Sequence, residues 1–138
     1  MKRIFLDTNI LLDVLLEREP FWPRAQQVWS LVEHRKIKAA VSTLSVSNVF
    51  FIVKRLANRE KAYWAIELLS ELFQLVAVTP TMIRTALQAR FPDFEDAIQY
   101  YCAHAFRAKA IISRDDTGFA KSTIPVLDCA QYVALLDE

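Results

Sequence analysis

Along the chain, short apolar runs alternate with longer stretches whose apolar positions recur every three or four residues. The run Arg3–Leu6 reads as a strand. Asn9–Leu16 reads as a short helix stopped by Glu19-Pro20, and Trp22–His34 as a helix with Pro23 in its first turn. A second strand is expected at Ala39–Ser42, then a helix at Ser45–Leu56 with Ser45 or Thr43 as its cap. Glu60–Phe73 carries a helical stripe of Ala62, Ile66, Leu69 and Phe73. A strand at Leu75–Val78 precedes a helix at Thr81–Arg90. Asp93–Lys109 reads as the next helix, with Ala97, Ile98, Tyr101, Cys102 and Ala105 on its buried face. Strands at Ala110–Ser113 and Pro125–Leu127 and a helix at Ala130–Leu136 complete the pattern.

This alternation predicts an α/β fold, a three-layer sandwich with a central, mostly parallel five-stranded sheet and helices on both faces. At 138 residues the simplest organisation is a single domain, residues 1–138. In such sheets ligands bind beyond the carboxyl ends of the strands. Residues just after each strand are therefore the first place to look for chemistry.

Composition narrows the options. A hydrophobic fraction of 54% allows a large core and suggests that apolar surface meets a partner chain. Trp64, Leu68 and Leu72 lie off the main stripe of their helix and, with Phe50 and Phe51, suggest an oligomer interface. The net charge of +1 does not mark a general nucleic-acid binder, so any such binding rests on a local patch. Lys54, Arg55, Arg59 and Lys61 read as a solvated surface. Gly118 is the only glycine, which excludes Gly-rich phosphate loops. Cys102 and Cys129 lack metal-type spacing and read as buried free thiols. His34 and His104 are isolated, and no Ser or Cys nucleophile has an evident partner. Asp7 cuts short the apolar start, and no charge-free run reaches membrane-spanning length, so a cytoplasmic protein is expected.

Acids follow several strands. Asp7 ends the first, in IFLDTNILL, where a buried carboxylate is costly unless paired, hydrogen-bonded or metal-bound. Thr8 or Asn9 could equally cap the next helix. Asp115 and Asp116 follow the fourth strand in SRDDTGF, where acids in a loop are commonly just solvated. FPDFEDAIQYY places Asp93, Glu95 and Asp96 at a helix start, which favours carboxylates in any case. The combination says more than its parts. A parallel sheet brings Asp7, Asp96 and Asp115 to one edge, and clustered carboxylates need a cation, for which Mg²⁺ or Mn²⁺ is suited. The chemistry implied is metal-assisted phosphodiester hydrolysis. Arg114, beside Asp115, either contacts a substrate phosphate or balances the local acids.

LDTNILLD, FEDAIQYYCA, AIISRDDTGF and the closing IPVLDCAQYVALL together resemble the PIN-domain nucleases, including VapC-type toxins. The resemblance implies a Mg²⁺- or Mn²⁺-dependent ribonuclease site built on Asp7, Asp96 and Asp115. Asn9 and Ser113 match supporting polar positions. It also implies RNA as substrate, a homodimer and an antitoxin protein as possible partner. One position departs: where the family usually has Glu in the helix after the second strand, this chain has Asn48, which is neutral and cannot act as a base. Asp93 or Asp116 is available to compensate. The departure leaves a second reading open, a degenerate PIN domain that binds RNA or a protein without cleaving. A phosphohydrolase acting on a small phosphate ester has less support.

Overall fold

The computed structural model describes residues 1–137. Strands β1 (Arg3–Leu6), β2 (Lys38–Ser42), β3 (Gln74–Val76), β4 (Ala110–Ile112) and β5 (Val126–Leu127) form one sheet. Helices α1 (Thr8–Leu15) and α2 (Trp22–Glu33) lie between β1 and β2, and α3 (Thr43–Leu56) and α4 (Arg59–Leu72) between β2 and β3. Helices α5 (Pro80–Ala89) and α6 (Phe94–Phe106) lead to β4, and α7 (Cys129–Leu136) follows β5.

The strand order is β3-β2-β1-β4-β5, and every pairing is parallel. Side chains of a strand alternate between faces. Ile4, Leu6, Ala39, Val41, Ala110 and Ile112 accordingly pack with residues of α1, α2, α3, α4 and α7 on one face. Phe5, Ala40 and Ile111 pack on the other face with Ala86 of α5 and Ala97, Ala103 and Phe106 of α6. Both faces are covered, which explains why the strands read as continuous apolar runs rather than alternating ones. The expected three-layer sandwich is the observed one.

The strand order also fixes where a site can form. From β1 the chain moves outward to β2 and β3, then returns past β1 to build β4 on its other side. The order therefore reverses between β1 and β4, and in parallel α/β sheets the carboxyl edge at such a reversal is where ligands bind.

Element boundaries shift from the sequence reading where side chains cap helices. Neither Thr43 nor Ser45 caps α3; the buried Ser42 does, its hydroxyl accepting from the Ser45 N–H. Asp7 itself, rather than Thr8 or Asn9, is the cap residue of α1. Asp93 lies outside α6 as its cap, and α6 ends at Phe106, three residues before the expected Lys109, with Arg107 in the left-handed region. On α6, Tyr101 is only half-buried and Ala105 is exposed, while Gln99, Tyr100 and Ala103 are buried. Strand β3 comprises Gln74–Val76 rather than Leu75–Val78.

The second apolar face expected on α3 and α4 divides in two. Phe50, Leu68 and Leu72 are half-buried against the core, and Phe50 meets the Tyr63 ring at 5.0 Å. Phe51 and Trp64 remain exposed, at 65% and 49%. Cys102 and Cys129 are free and buried, and burial pushes their thiols up to about 11 and about 12. Among the described residues no helix is long and apolar enough to cross a membrane.

Candidate active site

Carboxylates gather at the carboxyl edge of the sheet beside β1 and β4. Asp7 follows β1 directly and is almost wholly buried. Its Oδ1 accepts from the Thr8 N–H and its Oδ2 from the Ser113 hydroxyl, both at 2.9 Å. Ser113, one residue past β4, also accepts from the Asp115 N–H at 3.1 Å. One hydroxyl thus joins the ends of two adjacent strands and holds Asp7 and the Asp115 backbone to a common edge. Burial dominates over these hydrogen bonds and raises the Asp7 carboxyl above its ordinary range, with repulsion from Asp115 and Asp93 adding to it.

Asp96 comes to the same edge from the first turn of α6. Asp93 caps that helix, accepting from the Asp96 N–H at 3.0 Å. Burial and then repulsion from Asp7, Asp93, Asp115 and Glu95 raise the Asp96 carboxyl to about 7. The charges of Asp93 and Asp115 thus oppose ionisation at Asp7, and together with Asp7 and Glu95 they oppose it at Asp96. Among the described residues no three His, Cys, Asp or Glu side chains, as they stand, surround a single point. Asp115 turns Oδ1 back to the Thr117 N–H at 3.1 Å.

The residues present fit a hard divalent cation. The donors are carboxylate oxygens, the ligands that Mg²⁺ and Mn²⁺ favour. The loop after β4 is also shaped around one of them. A Cβ at Gly118 would fall 1.8 Å from Asp96 Oδ2, so only glycine lets that backbone approach the carboxylate so closely.

Beneath the acids lies a buried polar knot. The Thr8 and Ser45 hydroxyls meet at 2.7 Å, and Gln99 Nε2 donates to both, at 3.1 and 2.8 Å. These bonds tie the starts of α1 and α3 to α6, fixing the helices that carry the site. Gln99 Oε1 is buried with no hydrogen-bond partner among the described residues.

Two further expected residues have contacts of their own. Asn9 is exposed and its Oδ1 accepts from Arg18 Nη2 at 3.2 Å. Asp116 lines a small cavity with Ser113, Arg114 and Asp128. Arg114 is committed to a different acid: its Nε donates to Asp13 Oδ2 at 2.9 Å and its Nη2 to Asp13 Oδ1 at 3.1 Å. Its guanidinium also stacks 3.8 Å above the Phe21 ring. Asp13 is fully buried and is bonded by Arg18 as well. Of the two roles considered for Arg114, this geometry favours charge balance, with Asp13 as the acid.

The sequence reading passed over Asp13, Gly118 and the role of Glu95. Asp13 stands among Leu11, Leu12, Val14 and Leu15, and an acid in such a run needs a buried partner. A lone glycine in sequence excludes phosphate loops but does not reveal that Gly118 faces the Asp96 carboxylate. Glu95 gave no signal beyond its place between Phe94 and Asp96, because its significance depends on a helix 47 residues away in sequence.

A family model described as PIN domain matches residues 3–117. The ribonuclease VapC1 of Aquifex aeolicus is 21% identical over 136 residues, covering 95% of this chain and 93% of that protein. The sarcin–ricin-loop-cleaving toxin VapC20 of Mycobacterium tuberculosis superposes with a TM-score of 0.71 at 17% identity, over 86% of this chain and 94% of that one. A toxin–antitoxin complex from Klebsiella pneumoniae contains a chain with a TM-score of 0.66 at 24% identity, over 91% and 97% respectively. With a parallel sheet that reverses order at β1 and β4, acids gathered at that reversal and a family match spanning most of its length, this chain belongs to the PIN-domain family.

Proposed function

We propose that the chain is a Mg²⁺- or Mn²⁺-dependent endoribonuclease and the toxin half of a toxin–antitoxin pair. The observation that supports this reading is the Ser113 hydroxyl, which bonds both the Asp7 carboxylate and the Asp115 backbone, with Gly118 seated against the Asp96 carboxylate. The VapC relatives support RNA as substrate and an antitoxin protein as partner. A homodimer is part of the proposal, with Phe51 and Trp64 on its contact face.

When bound, a divalent ion neutralises charge on the scissile phosphate and acidifies the attacking water. The chain's own residues do the rest. Asp7 presents a carboxylate whose rotation is stopped by Thr8 and Ser113. Asp96, whose carboxyl is raised to about 7 by burial and neighbouring acids, would hold the cation in its ionised form. Asp115 is tied to Asp7 through Ser113, which accepts from the Asp115 N–H and donates to the Asp7 carboxylate. The buried knot of Thr8, Ser45 and Gln99 keeps the helix starts rigid beneath them.

Induced expression in a bacterial host tests this reading. Growth arrest with new RNA ends is expected for the native chain and neither for Asp96→Asn. Arrest without RNA cleavage, or equal arrest by the variant, contradicts it.

A further inference from the structure

Asn48 stands on α3 where a carboxylate is expected, and it is not idle. Its Nδ2 donates to Oε1 of Glu95 at 2.9 Å. The bond crosses the carboxyl edge of the sheet, since α3 packs on one face and α6 on the other. Asp93 already caps α6, so Glu95 is not needed for that task. No cation balances Glu95 either: the ion pairs among the described residues all involve Asp13.

Glu95 is thus an exposed side chain that Asn48 holds across the edge where α3 and α6 meet. Fixing such a side chain costs rotamer entropy, which a solvated glutamate would keep. The carboxylate also sits in a telling place. Glu is one carbon longer than Asn, so a Glu at position 48 would end about where the Asn48 amide now meets the Glu95 carboxylate, within ~3 Å. The acid that reaches this point is neither Asp93 nor Asp116.

We propose that Glu95 supplies from α6 the carboxylate that α3 lacks, contributing an oxygen to the divalent cation, with Asn48 as its positioning residue. The proposal rests on the metal-dependent reading of the site. It makes the Asn48–Glu95 pair an exchange of one acid between two helices rather than a loss of one.

Calorimetric titration of Mn²⁺ into the full chain tests it, with metal-free melting curves to confirm folding. Glu95→Gln keeps the acceptor for Asn48 and removes the charge; it should weaken Mn²⁺ binding about tenfold or more. Asn48→Ala should weaken it less, because Glu95 remains but is no longer held. The double change Asn48→Glu with Glu95→Gln should restore affinity to within about threefold of the native chain. Native affinity in Glu95→Gln, beside lost binding in Asp96→Asn, overturns the role of Glu95 and leaves the site reading standing. Failure of the native chain itself to bind Mn²⁺ overturns both.

Discussion

Gly118 and Asp96 approach so closely that a methyl group on the glycine would lie 1.8 Å from the Asp96 carboxylate. The loop after β4 and the first turn of α6 are fitted to each other at that point. Gly118→Ala must therefore push the carboxylate away from its present position. The backbone there needs no left-handed conformation, since the chain has no glycine with positive φ. The fold should survive, with a melting temperature within about 3 °C of native. Mn²⁺ affinity and RNA cleavage should both fall, by about tenfold or more. Native affinity in Gly118→Ala would show that the position of Asp96 does not matter.

The raised carboxyl of Asp96 sets a pH dependence whose sign can be worked out. Its value of about 7 in the folded chain stands above the ordinary 3.8, so the folded state holds a proton that the unfolded state releases. Between about pH 4 and pH 7 the metal-free protein should therefore lose stability as pH rises. Asp96→Asn removes this loss; because the group is half-exposed and screened, the gain at pH 8 should be about 1 kcal/mol, or about 3 °C. Conversely, Mn²⁺ must displace the proton, so its affinity should climb with pH up to about 7, by up to about tenfold per unit. A flat affinity between pH 5.5 and 7.5 would contradict the proton displacement.

Arg114 serves as partner to a fully buried acid, and its loss should act on stability first. Arg114→Ala leaves Asp13 with Arg18 alone and removes the stack on Phe21. A destabilisation of about 1–3 kcal/mol is expected, seen as a lower denaturant midpoint with an unchanged slope. Cleavage per folded molecule should fall by less than about threefold, since the guanidinium is turned to Asp13 and not to the acids at the β1–β4 edge. A native midpoint with a large rise in KM for RNA would restore the phosphate-binding role.

The exposed rings on α3 and α4 give the proposed dimer a simple test. Trp64→Glu places a charge at a 49% exposed position, so the monomer should tolerate it. Sedimentation should show a native dimer and a monomeric variant, with unchanged Mn²⁺ affinity. A native chain that sediments as a monomer removes the dimer from the proposal.

Much of this molecule was legible in its sequence because parallel α/β folds write themselves locally. The apolar runs at Arg3–Leu6 and Ala110–Ser113 are buried on both faces, and the acids behind them fall at the strand ends that the topology exposes. Helix starts were less legible, since Ser42 belongs to a strand by pattern and to a helix by its hydroxyl. Long-range pairs were not legible at all. The Arg114–Asp13 bond spans 101 residues and the Asn48–Glu95 bond 47, and neither leaves a periodic trace. For that reason the sequence shows Asn48 only as a departure from an expected acid and leaves both roles of Arg114, phosphate contact and charge balance, open.

The most direct measurement is cleavage of a purified RNA by the native chain in Mn²⁺, in EDTA and beside Asp96→Asn. Internal cleavage in Mn²⁺, abolished by EDTA and reduced at least about a hundredfold in Asp96→Asn, is the predicted result. Cleavage that persists in EDTA, or that survives loss of the Asp96 charge, would contradict a metal-dependent site at the β1–β4 edge.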